Sequence, residues 1–366
     1  MSGLSPALSI VRQQQVAGLQ LHRAWPGPDG SLSFEGLDEL GRIRAGWVRR
    51  EGKVSLLAYG LDPKLPALGP ALAASGARLL VHRPAKRAVL LGAEQVTKFV
   101  RPSKVSALAL ASEAMGSRVQ QAGFRRASLL SLGEGQLVFE LLPGQTLQDL
   151  GDSSLEGWKA FAASYRNLQQ GGFSAEADPC LEGPWGSLSL KLHGPLAELA
   201  VLEHWFAQAR AYGSLEQVDP GLKLLSACLS RLAGALEGLG QVGRVSLLHR
   251  DLHDKQLLWD GRDLSLLDLD TAAAGDPELD LGNLMAHLQL RVFQGLLSAE
   301  VSQQVQGLLL SLALDLGLDL GRLALYQQAA QLRIMCLYSL RPASASWLPA
   351  WLDFLLGQAG REPGEF

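Results

Sequence analysis

The chain has 366 residues, 47% of them hydrophobic, and a formal net charge of −3. That length bounds it to one large two-lobed unit or two to three modules with ample material for a core, and the weak negative charge argues against a general nucleic-acid binder. Cys180, Cys228 and Cys336 are odd in number and far apart, which excludes a disulfide framework or a CxxC metal site, and no segment approaches the length of a membrane span.

In chain order, residues 42–49 and 53–59 predict a hairpin turning through Arg50, Glu51 and Gly52. Gly46 to Lys53 superficially resembles a phosphate-binding GxxxxGK[ST] loop. Five residues separate Gly46 from Gly52, however, and Val54 stands where a metal-binding hydroxyl is required. No chemistry is legible in this region. The first residues lack a basic start followed by an apolar run, so a reduced cytoplasm is the expected compartment.

A second hairpin is predicted from strands at 78–82 and 87–91 around Arg83, Pro84, Ala85 and Lys86, followed by a strand at 95–100. Over 104–121, apolar Val105, Leu108, Ala111, Ala114, Met115 and Val119 recur at helical spacing. Residues 76–126 carry ten Lys or Arg against two acids, a balance suited to polyphosphate, with Arg83, Lys86, Arg87 and Lys98 as candidates. Leu137 to Leu142 is an apolar strand running into Pro143 and Gly144. Beyond it the pattern turns helical, with helices predicted over 155–169, 195–211, 221–236, 281–294, 299–316, 320–340 and 345–356. A connection containing Gly and Pro spans 173–184.

The chemistry concentrates in one stretch, His249-Arg250-Asp251-Leu252-His253-Asp254-Lys255-Gln256, followed by Leu267-Asp268-Leu269-Asp270 and Asp276 to Asp280. Short strands are predicted at 245–248, 256–259 and 264–269, which makes Asp251 to Lys255 a loop. From Asp251 to Asp280 nine carboxylates face one Lys and one Arg, a cluster that suits a divalent cation better than nucleic acid. Asp251 can orient and deprotonate an acceptor hydroxyl. The Gln256 carbonyl oxygen and the Asp268 carboxylate can hold the Mg²⁺ that neutralises charge on ATP.

An HxDxHD string also suits a dinuclear metal hydrolase, but such sites usually need a further His, and only His287 follows. Arg250 makes an HRD triplet, which raises the question of a peptide substrate. Only eleven residues separate Asp268 from Asp280, too few for a long activation loop, so a small-molecule acceptor is expected.

These residues resemble the catalytic core of the aminoglycoside phosphotransferase and choline kinase superfamily. The resemblance implies an α/β (α+β) bilobal protein-kinase-like fold, with a small antiparallel-sheet N-lobe, a mainly helical C-lobe and an N-terminal cap. It divides the chain into the cap at 1–75, a nucleotide-binding lobe and hinge at 76–145 and a helical lobe at 146–366. By the same resemblance Asp251 is the catalytic aspartate, Gln256 and Asp268 are metal ligands, and Asp280 braces the catalytic loop. Arg250, His253 and Asp270 support the loop or the acceptor, with Arg250 expected to pair with a carboxylate such as Asp280. Lys98 would reach the nucleotide phosphates through an ion pair with Glu113, and backbone groups of Glu140 and Leu142 would bind adenine. Gln at position 256 is a departure from the usual Asn and is associated with sugar kinases such as maltokinase and glucosamine kinase.

The resemblance therefore implies an ATP- and Mg²⁺-dependent kinase acting on a hydroxyl of a sugar or amino sugar. A nucleotide-binding pseudokinase and an aminoglycoside-type antibiotic kinase are the alternatives. From Leu281 to Phe366 six acids face five arginines, with Glu362 and Glu365 in the tail, leaving little negative charge for a polycationic drug. A neutral or weakly cationic acceptor is expected, with Trp205, Tyr326, Tyr338, Trp347 and Trp351 as candidates to stack on a sugar face, although most of them are expected in the core.

Overall fold

The computed structural model describes residues 3–170, 173, 179–215 and 221–358. The expected connection at 173–184 lies partly outside these, and Glu362 and Glu365 lie wholly outside. Its described part holds a hairpin that the Gly and Pro content did not suggest, with Cys180–Gly183 paired antiparallel to Gly186–Ser189.

The N-terminal residues build a five-stranded antiparallel meander from Gln15–Val16, Leu19–Pro26, Leu32–Leu37, Ile43–Val48 and Val54–Leu56. The expected hairpin is its last pair, closed by Gly52 at φ +89°, where a side chain would be strained. Against the sheet packs the helix Pro6–Arg12, started by Pro at its first position and by Ser5, whose hydroxyl accepts the Leu8 amide at 3.2 Å. Ala7, Leu8 and Val11 from that helix and Leu21, Leu32 and Phe34 from the sheet share one core with Tyr212 and Leu340 of the helical part. At the opposite end Ile43 packs with Leu68, Leu79, Leu90 and Phe99. Thus the meander touches both the second sheet and the helices.

That second sheet, also antiparallel, runs in the order Arg78–Arg83, Arg87–Leu91, Gln95–Val100, Gln136–Glu140, Leu129–Gly133. Strand alternation puts Phe99 in the core and sends Val96 and Lys98 to the other face, towards a cavity. The helix Val105–Gln121 crosses beside it.

The remainder is mainly helical, as expected, with seven long helices among the described residues: Leu155–Gln170, Pro195–Ala211, Gly221–Leu239, Pro277–Phe293, Ala299–Asp315, Leu320–Tyr338 and Leu348–Gln358. Pro277–Phe293 begins four residues earlier than the apolar pattern predicts. Pro277 at the first position and Glu278 and Asp280 in the first turn are the start signal, since a missing N–H is harmless there and carboxylates suit the positive end of the helix dipole. It lies against Leu320–Tyr338 so closely that a Cβ at Gly282 would sit 2.8 Å from Gln327 N. The last helix begins at Leu348 rather than Ala345, because Pro342–Ser344 forms a separate tight turn.

Candidate active site

A cavity of about 740 Å³ opens between the second sheet and the helical part. Asp251, Gln256, Asp268 and Asp270 line it from one side, Lys98 and Arg87 from the sheet, and Arg23 and Trp25 from the N-terminal meander.

The loop carrying Asp251 is fixed mostly through its backbone. Strand Ser246–Leu248 pairs with Ala273–Gly275 and delivers the chain to His249. The amides of His249 and Arg250 donate to Asp280 Oδ2 and Oδ1 at 2.8 and 2.9 Å. The His249 ring donates to Leu267 O at 2.8 Å, Thr271 Oγ1 to His249 O at 2.8 Å and Asn283 Nδ2 to Leu252 O at 2.8 Å. Asp254 closes the loop through a buried two-point ion pair with Arg291, each contact 2.7 Å. Asp251 itself stays half exposed at 52%, facing the cavity, which is what a base for an incoming hydroxyl requires.

Arg250 does not pair with Asp280 through its guanidinium. Its amide makes the contact, and its buried Nε has no hydrogen-bond partner among the described residues. His253 serves the loop, as its Nδ1 accepts the Lys255 amide at 3.3 Å and its ring lies 5.0 Å from that of His287. Burial brings the His253 imidazole down to about 4, against the pull of Asp251, whose carboxylate is 4.0 Å away. His287 is likewise held well below its ordinary value by burial and then by His253 and Arg291. Both rings are neutral near pH 7.

The strand expected to reach Leu269 stops at Leu266. Asp268 takes a left-handed backbone, φ +55° and ψ +52°, and residues Leu269–Thr271 turn tightly behind it. Such a conformation costs a non-glycine residue about 1–2 kcal/mol and here aims two carboxylates into one place. Lys98 Nζ donates to Asp268 Oδ1 at 2.9 Å and to Asp270 Oδ2 at 2.6 Å. Burial opposes the lysine charge, but the two carboxylates outweigh it and raise its pKa. For Asp268, burial pushes up while Lys98, Asp270 and Arg87 pull harder, leaving it below the usual carboxylate range. Asp270 is raised, by burial first and then by the charge of Asp268.

The expected Lys98–Glu113 ion pair is absent. Glu113 instead takes Arg126 Nη1 at 2.7 Å, and the residues of that helix lining the cavity are Leu108 and Ser112. On a helix Glu113 stands about 100° round from Ser112, on another face.

The basic hairpin divides. Arg87 lines the cavity with Nη1 3.6 Å from Asp268 Oδ2. Arg83 stacks over the Trp25 ring at 5.1 Å, and Lys86 is exposed at the hairpin tip, outside the cavity lining. Asp62 accepts the Ala85 amide at 2.7 Å and the His82 ring at 3.1 Å, and buried Glu35 accepts the His82 amide at 2.6 Å. The meander thereby holds the hairpin over the site. At the other end Glu140, Leu141 and Leu142 border the cavity. The Leu141 amide is taken by Glu94 O at 3.0 Å and the Glu140 carboxylate by Arg125 at 3.0 Å.

Of the five aromatic candidates only Tyr338 reaches the cavity. Trp205, Tyr326, Trp347 and Trp351 pack in or against a helical core. Lys255 of the catalytic stretch also lines the cavity, as do Arg23, Arg291, Arg333 and Arg341, which carried no local motif.

The donors present fit a hard divalent cation. Asp268 and Asp270 converge on one positive charge, and Gln256, whose backbone carbonyl accepts the Leu267 amide at 2.8 Å, brings a side-chain amide alongside. Among the described residues no group of three or more His, Cys, Asp or Glu is set to hold a metal. Mg²⁺ bound with nucleotide needs only one or two carboxylates, because phosphate oxygens and water complete its shell. No helix among the described residues is long and apolar enough to cross a membrane.

No curated protein matches the sequence. Solved structures do. Aminoglycoside phosphotransferase APH(4)-Ia is similar at 15% identity and a TM-score of 0.51, over 78% of this chain and 93% of that one. Aminoglycoside phosphotransferase APH(3'')-Id from Streptomyces rimosus has 20% identity and a TM-score of 0.48, over 72% and 93%. A glucosamine kinase in complex with glucosamine, ADP and inorganic phosphate has 16% identity and a TM-score of 0.48, over 97% and 96%. At such identities the likeness to APH(4)-Ia speaks to the fold, a protein-kinase-like one. The family model described as "Phosphotransferase enzyme family" matches residues 96–301, a span that holds Lys98, Asp251, Gln256, Asp268 and Asp280. The chain belongs to that family, within the aminoglycoside phosphotransferase and choline kinase superfamily, and is a small-molecule kinase.

Proposed function

We propose that the chain transfers the γ-phosphate of ATP to a hydroxyl of a small polyhydroxylated molecule, a sugar or amino sugar, with Mg²⁺. One observation carries this reading: Lys98, Asp268, Gln256 and Asp251 line a single cavity, together with Glu140, Leu141 and Leu142. Mg²⁺, when bound, neutralises charge on the phosphates. Lys98 and Arg87 orient those phosphates, Asp268 and Gln256 supply metal oxygens, and Asp270 holds the Lys98 ammonium in place. Asp251 accepts the acceptor's hydroxyl proton. The oxygen then bonds to the γ-phosphorus as the bond to the β–γ bridging oxygen breaks and ADP leaves. His253 and His287, both neutral, can exchange hydrogen bonds with acceptor hydroxyls.

An antibiotic kinase for polycationic drugs fits less well, because the acceptor side holds more cations than acids. The deciding experiment is ATP consumption, with and without Mg²⁺, across monosaccharides, disaccharides, amino sugars, choline and aminoglycosides. Wild type should consume ATP with at least one sugar and the Asp251→Asn variant should not. Equal consumption by both would dismiss the mechanism, and binding of ATP with no transfer to any acceptor would favour a pseudokinase.

A further inference from the structure

The wall of the cavity beyond Asp251 holds positive charge that phosphoryl transfer at Asp268 does not use. Lys255, exposed on the cavity wall, lines it with no ion pair or side-chain hydrogen bond among the described residues. Arg341 lines it too. Its guanidinium lies 4.4 Å over the Tyr338 ring and has no carboxylate within ion-pair distance among the described residues. Arg23 reaches in from the meander, held among the described residues by a 3.4 Å contact to Glu35, which already takes the His22 ring at 2.7 Å and the His82 amide at 2.6 Å.

The other two arginines on this wall are matched. Arg291 is closed by Asp254, and Arg333 donates to Asn283 Oδ1 at 2.7 Å with Glu198 3.6 Å away. Asp251 is the sole acid lining this end. Lys255 is exposed and Arg341 and Arg23 half-buried along one wall of the cleft, and like charges grouped in a cleft focus a positive potential that an anionic ligand offsets. The neighbours agree: burial lowers Arg341, and the Tyr338 hydroxyl, raised by burial, is brought below its usual value by the cations around it, Arg341 first.

We infer that Lys255 and Arg341, assisted by Arg23, form an anion subsite, and that the hydroxyl acceptor carries a phosphate, sulfate or carboxylate group that this subsite holds. This rests on the phosphotransferase reading for the word acceptor, and it departs from the neutral or weakly cationic acceptor that the charge count of the C-terminal third implies. Arg and Lys donors forked around one oxyanion give charge-assisted bonds, and the neutral His253 and His287 rings leave the adjoining surface suited to hydroxyls.

The test is calorimetric binding to the full chain saturated with ADP and Mg²⁺, so that the sites for the nucleotide phosphates are filled. Inorganic sulfate, gluconate and glucose 6-phosphate are compared with glucose. The expected result is binding of sulfate and of both acids, with the acids at least about tenfold tighter than glucose. In the Lys255→Ala and Arg341→Ala variants the anion affinity should fall by about tenfold while ADP affinity is unchanged, and Lys86→Ala should bind anions as wild type does. Glucose binding as well as the acids, no sulfate binding, or no change in the variants would each overturn the subsite. Loss of ADP affinity in parallel would assign the cations to the nucleotide instead. Retained anion binding with no phosphate transfer to any acceptor would count against the kinase mechanism and leave the subsite standing.

Discussion

Lys98 Nζ lies 2.6 Å from Asp270 Oδ2, so the lysine proposed to meet the phosphates is anchored by the strand-end turn of the helical part and not by the helix beside it. Lys98→Ala should raise the KM for ATP by on the order of tenfold, the loss of one charge-assisted hydrogen bond, with a smaller fall in kcat. Glu113→Gln should leave the KM for ATP unchanged and instead lower stability by about 1–3 kcal/mol, because Arg126 loses its charged partner. Steady-state kinetics and urea unfolding on the two variants separate these effects. A raised KM in Glu113→Gln would restore the discarded ion pair.

Asp251→Asn should cut kcat by about 10²–10⁴-fold, the usual worth of a general base, while ADP affinity stays near wild type. Near-normal turnover would remove Asp251 from the chemistry.

Asp268→Asn should abolish the Mg²⁺ dependence of nucleotide binding, since it removes a charged ligand and frees Lys98 from one of its two anchors. Gln256→Asn should retain partial activity, because the amide oxygen remains one methylene short. Full activity in Gln256→Ala, measured over a Mg²⁺ titration, would show that the amide is not a ligand.

Much of the site was legible because Asp251, Gln256, Asp268 and Asp280 fall within thirty residues, where loop and strand lengths fix their approach. Lys98 was legible from its place on a strand within a basic stretch. Its partner was not, since helical spacing names a face only relative to packing, and the face turned to the cavity proved to be that of Leu108 and Ser112. Nothing local announced that Asp268 would turn left-handed and end its strand three residues early. Arg23, Arg291 and Arg341 come from a meander, a buried helix and the end of another helix, so only tertiary packing assembles them. Four of the five aromatics lie in or against the helical core, where most were expected.

The half-buried histidines His253 and His287 set a pH dependence. The folded-state value of His253 is about 4 against an ordinary 6.5, so between those values the unfolded chain binds more protons. The stability contributed by keeping this ring neutral is therefore present above pH 6.5 and is lost as pH falls towards 4, and His287 adds a loss of the same sign. Thermal unfolding of the wild type should show Tm falling over that window. His253→Gln, which keeps a side-chain acceptor for the Lys255 amide but does not titrate, should flatten the slope. An unchanged slope would mean that other groups govern acid stability.

Asp254 and Arg291 supply the last test, because they tie the catalytic loop to the helix Pro277–Phe293 at a point where both side chains are under 5% exposed. Removing one partner leaves the other charge buried and unmatched, whereas removing both leaves only a packing defect. Asp254→Ala should therefore cost about 3–5 kcal/mol and slow transfer, since the chain two to three residues from Asp251 loses its anchor. The double variant Asp254→Leu with Arg291→Met should recover more than half of that stability, as apolar side chains of similar reach replace a desolvated ion pair. Activity should recover less, because the loop is then held by packing without the fixed geometry of two 2.7 Å contacts. Urea unfolding and kcat measured on the same preparations read both quantities. Equal stability of the single and double variants would mean that the pair acts through loop geometry alone and not through the burial of an unmatched charge.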